Sequence, residues 1–122
     1  MGKYVIKQTQ KGSFVFSLLA ANGQVIGTSQ AYSTLASAKN GVESVRNNSY
    51  AKVEDQTVLG YTPIKHPKFE LYEDEYGEFR FRLKAMNGGI VLDSESYATK
   101  ASARGGIDTV KRNAEEATLE IE

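Results

Sequence analysis

Residues 22–45, NGQVIGTSQAYSTLASAKNGVESV, and residues 87–110, NGGIVLDSESYATKASARGGIDTV, carry Asn-Gly, Tyr, Ala-Ser-Ala and a late Gly at the same spacing. Working outward from them, a shift of 65 residues aligns 3–49 with 68–114 without a gap, and 17 of the 47 positions are identical. Two copies are too few for a solenoid, which needs at least about three stacked units. The chain therefore holds a duplicated supersecondary unit, whose copies must bury their apolar faces together.

Each copy reads as three strands, a helix and a short last strand. Tyr4 and Ile6 share one face of KYVIK, as Phe69 and Leu71 do in KFELY; the next run alternates Phe14, Phe16, Leu18, Ala20 and Phe79, Phe81, Leu83, Ala85. Asn22-Gly23 and Asn87-Gly88 supply the dipeptide of a two-residue type I′ turn, which returns a third strand antiparallel to the second. Thr34 and Thr99 offer N-cap hydroxyls, and Ala38, Val42, Val45 and Ala103, Ile107, Val110 recur at helical spacing. Gly41 and Gly106 fall beside that stripe, where a helical Gly costs about 1 kcal/mol relative to Ala. A close backbone approach is expected at both. The runs AKVE from Ala51 and ATLEI from Ala117 alternate as a last strand, and residues 56–67 form a linker between the copies.

Composition narrows the class of protein. A chain of 122 residues can bury roughly two thirds of its unfolded surface without staples, so one domain is expected over 1–122, with repeat one at 3–55 and repeat two at 68–122. The absence of Cys excludes a disulfide framework and any thiolate-bound zinc or iron–sulfur site. FVFSLLAA, at 14–21, is the longest apolar run and falls short of the about 20 residues that cross a bilayer. The start of the chain has no secretory pattern, and Ile6 stands where a myristoylation motif needs Ser or Thr. A cytoplasmic protein without membrane association is expected. Lys and Arg number 15, and so do Asp and Glu, so no global field concentrates nucleic acid or anionic lipid. Locally, residues 3–49 hold five basic residues against one acid, and the last eight residues hold four acids and no base.

Taken in order, GEFRFRLKAMNGGIV, SESYATKASARGGIDTVKRNA and their weaker counterparts in the first copy resemble the YegP-like family of small bacterial proteins. The resemblance implies β-β-β-α-β units that share one antiparallel sheet and exchange their last strands. It implies no established activity. The first copy departs from the pattern, with Val15, Ser17 and Leu19 where the second has Arg80, Arg82 and Lys84, and Leu35 where it has Lys100.

The inventory for catalysis is thin. His66 is the single imidazole and lies in the linker between Lys65 and Pro67, which reads as a solvated loop. The acids of EDEYGE, 73–78, read as a solvated hairpin tip and do not follow the EF-hand order. RGGID lies inside the helical pattern rather than between a strand and a helix N-terminus, so it is no phosphate loop. Neither an enzyme, a cofactor nor a metal site is expected.

Arg80, Arg82 and Lys84 alternate with Phe79 and Phe81, and with Lys100 they form the candidate binding surface. Period two sends the rings to the core and the cations to the other face, so the rings cannot serve as a stacking platform beside them. A two-residue turn would set Lys84 opposite Val91, Arg82 opposite Asp93 and Arg80 opposite Glu95, pairing the latter two with acids. In the first copy the outward face carries Val5, Val15, Leu19 and Ile26, with Val58, Leu59, Tyr61 and Ile64 of the linker as the expected cover and a partner protein as the alternative.

The expected fold is α+β in two layers, with both helices on one face of a sheet built from both copies. Core candidates are Tyr4, Ile6, Phe14, Phe16, Leu18, Val42, Val45, Phe69, Leu71, Phe79, Phe81, Leu83, Ile90, Leu92, Ile107 and Val110. The duplication supplies its own second half, so a monomer that mimics a homodimer of single repeats is expected. A non-enzymatic binding or interaction module is the expected function, its partner unknown and a protein one candidate, and weak nucleic-acid binding through the basic strand is the alternative.

Overall fold

The computed structural model describes residues 2–122. Its elements run β1 (Lys3–Gln8), β2 (Phe14–Leu19), β3 (Val25–Thr28), α1 (Leu35–Asn48), β4 (Lys52–Asp55), β5 (Lys68–Glu73), β6 (Phe79–Lys84), β7 (Ile90–Ser94), α2 (Lys100–Asn113) and β8 (Thr118–Ile121). All eight strands join one sheet in the order β4-β5-β6-β7-β3-β2-β1-β8. The fold is α+β, as the repeat pattern implies.

The last strands are exchanged. β4, which ends the first copy, pairs with β5 of the second, and β8, which ends the second, pairs with β1. Both pairings are parallel, because each last strand leaves its helix and enters the sheet alongside a first strand running the same way. The six inner strands are antiparallel to one another. The sheet is thus mixed, antiparallel within and parallel at its two edges. The halves meet where Gly27 lies opposite Ser94 and Thr28 opposite Asp93, on a pseudo-twofold axis between β3 and β7.

Thr34 and Thr99 cap the helices as expected, accepting the backbone N–H of Ser37 at 3.0 Å and of Ser102 at 3.1 Å. Each helix packs on strands of both copies, α1 on β2, β6 and β7, and α2 on β3, β5 and β6. The helical glycines are explained by aromatic rings. A Cβ on Gly41 would collide with the Tyr32 hydroxyl and lie 2.9 Å from Phe16, and one on Gly106 would collide with the Tyr97 hydroxyl and lie 2.8 Å from Phe81. In each copy that Tyr and Phe stack, with ring centroids 6.2 and 6.3 Å apart.

Two features differ from the sequence reading. The hairpin turns are not type I′, since no residue other than Gly has a positive φ among the described residues. Gly88 N donates to Ala85 O and Ala85 N to Gly89 O, both at 2.9 Å, which closes a three-residue loop over Met86, Asn87 and Gly88 with Gly88 at φ +84°. Gly23 does the same in the first copy, at φ +86°. This is a type I turn ending in a left-handed Gly, whose extra residue appears as a bulge in the returning strand. Leu83 stays opposite Leu92, but Lys84 falls opposite Ile90, and in the first copy Leu19 falls opposite Val25. The skipped residues, Val91 and Ile26, turn into the core.

The core list is corrected accordingly. Ile90 is half-buried on the outer face, and its place is taken by Val91. Phe14 and Phe79 are only partly buried at the margin of the cluster. Ile26 joins the core rather than the outward patch. The other candidates are buried as expected.

Two tests follow from this architecture. Leu92 fills the space above its pseudo-symmetric counterpart, since a Cβ on Gly27 would lie 2.8 Å from Leu92 Cγ and 2.9 Å from the Asp93 carbonyl oxygen. Gly27→Leu is expected to lower stability by at least about 2 kcal/mol by urea unfolding. Fragments 1–55 and 65–122, expressed apart, each lack the strand that pairs with their own first strand. We expect them to be unfolded or dimeric by sedimentation and amide dispersion; two folded monomers would contradict the shared sheet.

Candidate functional site

The four candidate residues do not form one surface. Arg80, Arg82 and Lys84 project from β6 on the outer face of the sheet, away from the helices, whereas Lys100 opens α2 on the opposite side. There it pairs with Asp55 at 2.6 Å, and Arg104 joins the same carboxylate at 2.9 Å. Burial raises the Asp55 carboxyl, and the bonds from Lys100, Thr57 and Arg104 outweigh it, holding the group well below the ordinary carboxylate range.

The basic strand is neutralised, though not mainly by the hairpin partner. Arg82 does lie opposite Asp93, but its Nε donates to Glu70 on β5 at 2.6 Å, and its guanidinium sits over the Tyr72 ring, 4.6 Å from the centroid. Arg80 pairs with Asp74 at 3.0 Å rather than with Glu95, and Lys84 lies 3.4 Å from Glu70. A strand inside a sheet has two neighbours, and the nearer acids are on the other one. Asp93 is left to Gln30, whose side-chain amide donates to it at 2.9 Å.

Behind these cations is a buried charge network that the sequence reading missed. Lys68 Nζ donates to both oxygens of Glu54, at 2.9 and 2.8 Å, and lies 3.3 Å from Glu70. The Glu54 side chain has no exposed surface and that of Lys68 only 8%. Gln56 and the backbone N–H of Ile64, both from the linker, complete the Glu54 carboxylate at 2.9 Å each. Burial alone pushes Glu54 up; the bonds from Lys68, Gln56 and Ile64 more than reverse this, leaving it at about 2. Glu70 alternates with Phe69 and Leu71 in KFELY, so its outward position was readable; the exchange that brings β4 beside it was implied by the family resemblance, and the register that sets Glu54 opposite it comes from the fold.

The linker therefore covers charge, not the apolar face of the first copy. Leu59 is fully exposed, Val58 and Tyr61 are exposed, and Ile64 is half-buried over Glu54. On the first copy's outer face, Val5 is buried between β8 and β2, and Val15, Ser17, Leu19 and Val25 are half-buried with no element of the described residues above them. A groove of about 150 Å³ opens there, floored by Val5, Ser17, Leu19 and Val25 and rimmed by Lys3, Lys7 and Glu122. Substitution between copies is concerted: Val5 stands where the second copy has Glu70, and Ser17 and Leu19 where it has Arg82 and Lys84.

The other sequence candidates are placed as loops. His66 is exposed beside the Gly88 turn. In EDEYGE, Asp74 accepts the N–H groups of Tyr76 and Glu78 at 2.9 and 3.0 Å and so shapes the hairpin tip. No group of three or more potential metal ligands occurs among the described residues. No helix among them is long and apolar enough to cross a membrane.

The network yields a pH-dependent test. Glu54→Gln removes one partner of a buried pair and is expected to cost about 3 kcal/mol, the lower end for such changes because Glu70 still faces Lys68. The native carboxyl lies below its ordinary 4.5, so its contribution is complete above that value and is lost as pH falls through about 2. The gap in urea midpoint between the two proteins should be constant down to about pH 5 and then close.

The comparisons with known proteins agree with this architecture. Residues 10–55 and 74–120 match the family model described as a domain of unknown function, DUF1508, once per repeat. A UPF0339 protein of Pseudomonas aeruginosa is 39% identical over 120 residues, 98% of this chain and 96% of its own length. The UPF0339 protein YegP of Yersinia pestis is 34% identical over 113 residues, 93% of this chain and 88% of its own. The solution NMR structure of yegP from E. coli, described as a protein of unknown function, superposes with a TM-score of 0.82 at 33% identity, over 99% of this chain and 92% of that one. A UPF0339 protein of Shewanella oneidensis does so with a TM-score of 0.80 at 31% identity, over 98% and 90%. With both repeats matched by the family model and the overall fold shared with solved relatives over nearly the whole chain, the chain belongs to the DUF1508 family, the bacterial UPF0339 or YegP-like proteins.

Proposed function

We propose that the protein is a non-enzymatic binding module that engages a protein partner through the outer sheet face of the first repeat. The observation that carries this reading is the contrast between the two outer faces. On the second repeat the cations are tied to Glu70 and Asp74 and the linker lies over the buried pair. On the first, half-buried Leu19 and Val25 line a shallow groove, with Val15 half-buried on the same face and no segment of the described residues lying over it. Apolar surface left in that state favours contact with another macromolecule.

Weak nucleic-acid binding through β6 is the second reading, and its cost is specific. A phosphate would have to displace Glu70 from Arg82 and Asp74 from Arg80, exchanging one anion for another with little gain. Lys100 cannot join such a site, because it lies across the sheet with Asp55.

Two measurements separate the readings. Fluorescence anisotropy with short single- and double-stranded oligonucleotides at low and moderate salt is expected to show no saturable binding; affinity that falls steeply with salt and is lost in Arg82→Ser would establish the alternative. Immobilised protein should retain a defined partner that the Leu19→Lys variant does not. Equal retention by both would remove the first repeat's outer face from the function.

A further inference from the structure

The linker shows how a chain segment lies on this sheet. β4 and β5 are parallel neighbours, so the connection between them must travel back the length of the strands. The helices fill one face, and the linker returns over the other, where Ile64 N donates to Glu54 Oε1 at 2.9 Å. The pseudo-equivalent pair at the far edge is β8 beside β1, again parallel, with Glu120 opposite Val5 as Glu54 is opposite Glu70. These are the last and first strands in chain order, so no loop between them crosses the outer face, and among the described residues no segment lies over the equivalent track.

We propose that this track binds an extended, predominantly apolar segment of a partner protein, laid across β8, β1 and β2 as residues 56–67 are laid across β4 and β5. The proposal rests on the protein-binding reading above and specifies its site and ligand class. Glu120 is the counterpart of Glu54, and Lys3 of Lys68; their ion pair has the same form, at 2.9 Å, but is half-exposed where the other is buried. Glu54 reaches burial by taking a linker N–H and the Gln56 amide in addition to the ammonium. Among the described residues Glu120 pairs with Lys3 alone, which leaves its carboxylate free to accept a backbone N–H from an incoming segment. The floor differs in a way that selects the ligand. Val5, Ser17 and Leu19 stand where the second repeat has Glu70, Arg82 and Lys84, and Val25 stands where it has Ile90, so side chains pointing down from the segment must be apolar. Lys7 and Glu122, 3.6 Å apart at the rim, favour neither sign of charge.

The test uses the full-length protein and a phage-displayed library of random dodecapeptides, followed by NMR titration of one enriched synthetic peptide into isotope-labelled protein. The expected result is an apolar, extended peptide whose largest amide shifts fall on Val5, Leu19, Val25 and Glu120. Binding should weaken by about tenfold or more in both Leu19→Lys and Glu120→Lys. Leu19→Lys installs the residue that the second repeat carries at that position, and Glu120→Lys alters an exposed side chain, so one variant remains informative if the other loses amide dispersion. Peptides that bind both variants as tightly as the parent, or that shift residues elsewhere, would overturn the groove assignment while leaving a protein-binding module intact. No enrichment over the bare support would also overturn it, and the retention experiment with Leu19→Lys would then decide the broader reading. A concentration-dependent dimer abolished by Leu19→Lys would assign the groove to a second copy and overturn the partner peptide.

Discussion

The exchange of last strands is the constraint on which the rest of this molecule depends. Each copy contributes a three-stranded antiparallel meander and a helix, and each meander has an edge at its first strand that needs a partner. The partner comes from the other copy, through four-residue parallel ladders, Lys52–Asp55 on Lys68–Leu71 and Thr118–Ile121 on Lys3–Ile6. The direct seam between the halves, β3 on β7, is short by comparison. The exchanged edges therefore bind the copies as firmly as the centre does, and the helices, each reaching onto strands of both copies, close the layer above them.

The same exchange breaks the symmetry of the outer face. Only one of the two edge pairings has a covalent connection, and a parallel connection must cross the sheet. Where it crosses, a buried carboxylate–ammonium pair can be satisfied by linker groups, and Glu54, Lys68 and Glu70 are buried together without an unpartnered polar atom among the described residues. Desolvating such charges is expensive unless every lone pair finds a donor, and Gln56 and Ile64 N supply the last two for Glu54. Where no connection crosses, the equivalent Lys3–Glu120 pair is half-exposed, and Val5, Ser17 and Leu19 stand in place of Glu70, Arg82 and Lys84. Among the described residues, the outer face that carries the charges is the one with a chain segment above it.

The cations that stand out in the sequence all have acidic partners within the fold. Arg80 ties β6 to the hairpin tip through Asp74, Arg82 and Lys84 close the outer side of the network at Glu70, and Lys100 with Arg104 fastens α2 to the exchanged strand through Asp55. In the first copy Leu35 takes the place of Lys100, and Ile121, opposite Ile6, takes that of Asp55 opposite Leu71. Each helix start is thus matched in polarity to the strand exchanged onto its repeat, charge with charge and apolar with apolar.

Much of this was legible from local pattern. Period-two alternation placed Phe16, Leu18, Phe81 and Leu83 in the core, helical spacing and Thr34 or Thr99 located both helices, and Gly41 and Gly106 announced a close approach, because each of these depends on a few neighbouring residues. The hairpin loops were half legible. Asn-Gly marked them, but whether Asn or only Gly takes a positive φ decides between two and three loop residues, and that one residue moved Ile26 and Val91 inward and Ile90 outward. The partners of the cations were not legible at all. Sequence alone sets Arg82 on an outward strand position, but its ion pair depends on which strand lies on its other side, and Glu54 meets Lys68 only because β4 crosses to the other repeat. Alternation, capping and turns are set by the backbone of adjacent residues and can be read along the chain; long-range charge pairing and the choice of which face is covered are set by the order of strands in the sheet, which only the folded molecule decides.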